Sequence, residues 1–225
     1  MKSESYFSRD FFDFFKELKK HNNRVWFNTN KQRYINSVKE PFERYVSDVI
    51  QMVHQHDPLV QISPKEAIFR IYRDVRFSKD KSPYKTSVSA VVSPKGRKFK
   101  EDIGIYIELS DDKCRIYSGV YMPDKEMLYR IREYICDYSD KFLELISDRK
   151  FRETFGEIRG EKNKIIPKEF KPFAARLPLL YNKQFYFFTE LSPDIIISEK
   201  LLSKTEEVYL TAKPLIDFLS VPVRG

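Results

Sequence analysis

Histidine is scarce in this chain, at three among 225 residues: His21, His54 and His56. The last two sit two positions apart, which on a helix turns them to different faces and makes them a poor pair of metal ligands. With no CxxC and no HExxH motif, neither a metal nor a cofactor is expected. Cysteine is scarcer still, and Cys114 and Cys136 read as free thiols, because a chain of this length has little need of a disulfide staple. Neither a Walker A nor a GxGxxG pattern occurs. No Ser/His/Asp or Cys/His set stands in a recognisable context. Long apolar runs are missing too: the longest, Phe185 to Phe188, is far short of the roughly 20 residues that cross a bilayer. Charges interrupt the N-terminal segment every few residues, leaving no apolar core of a secretory signal, so the expected compartment is the cytoplasm, without membrane association.

Aromatic residues, in contrast, are plentiful. They make up 15% of the chain, with 19 Phe and 14 Tyr, and hydrophobic residues reach 41%, enough to fill a packed core. The length suits a single domain over residues 1–225. Residues 8–56 read as helical. Ser8 is placed as an N-cap ahead of Phe11, Phe12, Phe15 and Leu18, and Asn22 and Asn23 suit the end of that helix. A second helical stretch runs from Trp26 to His54, kinked or divided by Pro41, with Trp26, Phe27 and Tyr34 as packing residues.

Residues 66–118 read mainly as strands. Glu66 to Phe77 alternates, with Phe69, Ile71, Val75 and Phe77 on one face and Arg70, Tyr72, Asp74 and Arg76 on the other. Ser78 to Pro83 reads as a turn, Thr86 to Ser93 as the returning strand, and Ser93 to Lys100 as a basic loop or hairpin tip. Ile103 to Leu109 and Cys114 to Tyr117 form a further pair across Asp111 and Asp112. Helices follow over 123–147 and a mixed region over 151–225. The latter includes a strand at Gln184 to Leu191 and a final helix, Glu199 to Leu219, interrupted at Pro214. The pattern predicts an α+β fold, a central and mainly antiparallel sheet of about four to six strands flanked by N-terminal and C-terminal helices.

Charge is distributed unevenly. The chain carries 41 Lys and Arg against 33 Asp and Glu, a net +8. Lys65 to Lys100 holds eleven of the basic residues and three acids, so this window alone accounts for the whole excess. A concentrated charge makes a local field that draws anions, whereas a dispersed one bears mainly on solubility. Its centre is Arg70 to Thr86, with Arg70, Arg73, Arg76, Lys79, Lys81 and Lys85.

Within it, Arg70-x-x-Arg73-Asp74-x-Arg76-Phe77-x-x-x-Lys81-x-x-Tyr84 resembles the signature of a mainly bacterial family, domain of unknown function 2461. The resemblance extends to Leu18, Asn22, Asn23, Trp26, Phe27 and Tyr34, and to Pro83-Tyr84-Lys85-Thr86. Where members carry a Gly-rich turn before a proline, this chain has only Gly119. The resemblance implies a bacterial protein and brings no activity with it.

The residues themselves supply the functional expectation. Arg70 and Arg76, about 20 Å apart on a straight strand, cannot grip one small anion together. If the chain turns back at Ser78 to Pro83, however, Arg76 comes opposite Lys85. Arginine binds phosphate bidentately, Lys81 and Lys85 add point charges, and Tyr84 can stack on a base or donate its hydroxyl. The expected anion site is therefore Arg70, Arg76, Lys81, Tyr84 and Lys85, with Arg73 and Asp74 as a structural ion pair. Lys79, Lys95, Lys98 and Lys100 read as solvated surface. The partner classes are a phosphorylated small molecule, a nucleotide or nucleic acid. The alternatives are a phosphoester-processing enzyme using Asp74, Glu108 or Glu190, and a module that docks an acidic protein.

Overall fold

The computed structural model describes residues 5–76, 79–99 and 101–225. Phe77, Ser78 and Lys100, assigned above to a strand face, a turn and a basic surface, lie outside them.

Helix α1, Asp10–Lys20, begins two residues after Ser8, whose carbonyl rather than its hydroxyl serves the first turn by accepting from Phe11 N. Phe11, Phe14, Phe15 and Leu18 are completely buried, and each contributes about 1.5–3 kcal/mol of apolar burial. The helix ends at His21 without any left-handed residue, so Asn22 and Asn23 do not terminate it in the expected way. Asn23 instead caps α2, Arg24–Thr29, by accepting from Trp26 N. After α3, Lys31–Tyr34, one π-helical turn, Ile35–Lys39, leads into α4, Glu40–His56, with Pro41 in its first turn. Proline lacks the N–H that an interior position needs, and the wider turn before it absorbs the break. A short helix α5, Pro64–Ala67, carries a capping box between Ser63 and Glu66.

A four-stranded antiparallel sheet follows, in the order β1-β2-β3-β4: β1 Val88–Val92, β2 Gly104–Leu109, β3 Cys114–Val120 and β4 Phe185–Leu191. Between β3 and β4 come α6, Lys125–Asp137, capped by Asp124, α7, Ser139–Ser147, and α8, Arg149–Phe155. The chain closes with α9, Leu201–Arg224, which runs unbroken through Pro214 and Pro222. Pro214 and Leu210, whose carbonyl loses its partner, are both exposed, so water can take the place of the lost hydrogen bond.

Alternation gives the sheet two unlike faces. Ala90, Ile107 and Ile116 share one row and Val92, Ile105 and Phe187 another; these side chains face the core, where α4 packs on β1, α9 on β3 and α8 on β4. On the other face the cross-strand rows are Ser89–Glu108–Arg115–Glu190, Val91–Tyr106–Tyr117–Phe188 and Gly104–Gly119–Tyr186. Most of these residues are only half-buried.

The expected strand from Glu66 to Phe77 is not one. Its first residues belong to α5, and residues 68–76 lie outside any strand, tied down by two isolated bridges, Ile68 to Ala90 and Tyr72 to Tyr84. Pro83 cannot donate to a ladder, and it accepts only through its carbonyl, from Arg73 N at 2.9 Å.

Candidate anion site

The bridge between Tyr72 and Tyr84, with Lys85 N donating to Ile71 O, sets Ile71 rather than Arg76 opposite Lys85. Side chains of residues 69, 71 and 73 therefore share the side occupied by Lys85. Lys85 Nζ lies 5.3 Å from the Phe69 ring centroid. Lys85 is half-buried and, among the described residues, has no carboxylate within ion-pair distance. Burial, reinforced by the Arg70 and Arg73 charges beside it, pushes its ammonium below lysine's ordinary range. Arg73 and Lys85 thus share one side, and the charge of exposed Arg70 acts on Lys85 from the neighbouring position.

Arg70 is exposed. Arg73 is half-buried. Its Nη1 meets Asp80 Oδ2 at 2.9 Å and its Nη2 reaches Tyr84 O at 3.4 Å, while its Nε is a buried donor without a hydrogen-bond partner. The expected Arg73–Asp74 pair is not formed, since consecutive side chains on extended backbone diverge. Asp74 instead receives a bidentate contact from Arg76, at 3.0 and 2.7 Å, which holds its carboxyl far below the usual range. Arg76 is exposed, engaged with Asp74 and away from Lys85 in the register, so it does not join the cluster. Lys81 also stands apart; its ammonium donates to Val75 O at 2.9 Å.

Tyr84 is not available to a ligand. Its ring is only 3% exposed and stacks on Phe27 with centroids 3.9 Å apart and planes 14° from parallel. Its backbone is gripped by Asn22, whose Nδ2 donates to Tyr84 O at 2.9 Å and whose Oδ1 accepts from Tyr84 N at 3.1 Å. Tyr84 thereby anchors the segment that presents Lys85. Of the carboxylates considered for catalysis, Asp74 is held by Arg76, and Glu190 by Arg115 at 2.7 Å.

Beside this cluster lies a feature that the sequence reading missed. A cleft of about 390 Å³ opens on the uncovered sheet face, lined by Phe69, Tyr106, Glu108, Tyr117 and the Gly104 and Gly119 pair among others. Its signal was present in β2 and β3: outward positions, ordinarily polar in a half-solvated sheet, are tyrosines here.

A family model described as "Conserved hypothetical protein", domain of unknown function 2461, matches residues 10–218. The chain belongs to that family. Membership covers α1 through most of α9 and so takes in both the cation cluster and the cleft. No curated protein and no solved structure matches the chain.

Proposed function

We propose that this protein binds a phosphate-bearing or other anionic ligand, of the nucleotide or nucleic-acid class, through Arg70, Arg73 and Lys85. The observation that carries this reading is Lys85. A half-buried ammonium that has no carboxylate partner among the described residues and feels the charges of Arg70 and Arg73 is in an unfavourable place unless an anion joins it. Two unspent donors support it: exposed Arg70, and the unpartnered buried Nε of Arg73. The locally concentrated charge adds long-range attraction. This reading drops Tyr84, Arg76 and Lys81 from the binding set and moves Arg73 into it.

The test is calorimetric titration of pyrophosphate at low and moderate salt. Affinity is expected to fall as salt rises, and Lys85→Met to weaken binding about tenfold or more, the scale of one charge-assisted hydrogen bond. Arg76→Ala should change little. Equal affinity in wild type and Lys85→Met refutes the assignment. Loss on Arg76→Ala alone would return the site to the loop.

A further inference from the structure

The cleft is shaped for a planar ring. The cross-strand pair Gly104 and Gly119, where the close approach of neighbouring backbone leaves no room for side chains, lines it together with Tyr106, Tyr117 and Tyr186. At its rim Phe99, Tyr121 and Met122 are 46%, 57% and 52% exposed, large apolar surface of the kind that marks a binding site when it gathers at one concavity.

Its polar lining is selective. Asp102 is occupied, accepting from Lys95 N at 2.9 Å and Ile103 N at 3.0 Å. Glu108 is different. Its Oε1 accepts from Ser87 Oγ at 3.2 Å, and among the described residues its Oε2 has no hydrogen bond. Arg115, its neighbour across the strand pair, is committed to Glu190. A carboxylate among aromatic walls seeks N–H donors. Guanine is the common base that offers two adjacent donors on one edge, N1–H and the 2-amino group, spaced for the two oxygens of a carboxylate. Adenine and cytosine place a ring-nitrogen acceptor beside their amino group, and uracil sets its one N–H between two carbonyls; each meets a carboxylate with a repulsive neighbour.

The cleft also adjoins the cations. Ser89 and Val91 of β1 point to this face, and Ser87, just before the strand and two residues after Lys85, holds Glu108. Phe69 bridges the two sites: its ring is 5.3 Å from Lys85 Nζ and 6.1 Å, centroid to centroid, from Tyr106. Lys85 and the Tyr106 ring thus flank the same phenylalanine.

We propose that the cleft receives the base of a guanine nucleotide, with Glu108 reading its donor edge while the phosphate rests on Arg70, Arg73 and Lys85. The phosphate half of this proposal rests on the anion reading above.

The experiment compares guanosine monophosphate, adenosine monophosphate, ribose 5-phosphate and guanosine by calorimetric titration. Guanosine monophosphate should bind about tenfold or more tighter than the adenosine and base-free ligands. Glu108→Gln should erase the preference over adenosine monophosphate and leave ribose 5-phosphate unchanged. Tyr121→Ala, at an exposed rim position that tolerates truncation, should weaken the guanine ligands about fivefold through lost stacking, again sparing ribose 5-phosphate. If ribose 5-phosphate matches guanosine monophosphate, the base site is refuted and the anion site stands. If guanosine binds as well as its monophosphate, with a Glu108-dependent preference, the base site stands and the anion site is refuted. Equal binding of both monophosphates overturns the role of Glu108, and silence from all four ligands overturns both sites.

Discussion

Replacing Asn22 with alanine removes a side chain that does the work of a neighbouring strand. Its amide closes two hydrogen bonds with the backbone of Tyr84, at 2.9 and 3.1 Å, and no other described group serves Tyr84 N. The Tyr84 carbonyl would keep only the long 3.4 Å contact from Arg73 Nη2. A buried backbone group stripped of its partner costs about 1–3 kcal/mol. With one group orphaned outright and the other partly served, Asn22→Ala should destabilise the protein by about 2–4 kcal/mol. For a chain of this length each kcal/mol lowers Tm by about 2–4 °C, so a fall of about 4–16 °C is expected. Differential scanning calorimetry measures it, with Asn36→Ala as control. Asn36 accepts from Gln32 at an exposed site, and its loss should stay within about 0.5 kcal/mol. Because Lys85 follows Tyr84 directly, pyrophosphate affinity should fall with stability. Indistinguishable Tm values for the two alanine variants would refute the argument that Asn22 secures the site.

Gly119 has φ +100°, and a Cβ there would sit 2.1 Å from the Phe185 carbonyl oxygen; Gly119→Ala should cost at least about 1–3 kcal/mol in chemical denaturation and distort the cleft. Burial pushes the Cys114 thiol up to about 12 and the Cys136 thiol up to about 11, so neither should react with iodoacetamide at pH 8 in the native protein. Both should label once urea unfolds the chain; rapid native labelling of Cys114 would contradict its burial. Lys85 binds its proton less tightly folded than unfolded, so stability should rise with pH between its lowered folded pKa and lysine's ordinary value of about 10.4, and that rise should vanish in Lys85→Met. Pyrophosphate, which favours the charged form, should be bound with proton uptake in that same window, seen as a buffer-dependent heat.

Local signals carried the fold class. The period-2 pattern of Ile103 to Leu109 and the apolar stripe of α1 each serve one core, and hydrophobic periodicity records such arrangements directly. Glu66 to Phe77 misled for the same reason: alternation reports extended backbone whether or not a partner strand lies beside it. Here Pro83 withholds the donor that a longer ladder would need. Asn22 could not be read correctly from its surroundings, because its role depends on Tyr84, 62 residues away. Next to a helix end, an asparagine looks like a cap.

Register decides which residues of Arg70 to Thr86 can join the proposed anion site. Charge counting finds a window because Coulomb forces add regardless of direction; a binding set also requires side chains that point the same way. Tyr72 opposite Tyr84 sends Phe69, Arg73 and Lys85 to one side and leaves Arg76 to Asp74. Only the pairing decides that. It also makes the aromatic cleft and the cations parts of one surface, since Phe69 touches both. The basic excess and the tyrosine-rich outer face, separate features of composition, thus meet at a single side chain. A ligand that spanned both would meet the half-buried lysine at one end and the unshared carboxylate oxygen of Glu108 at the other.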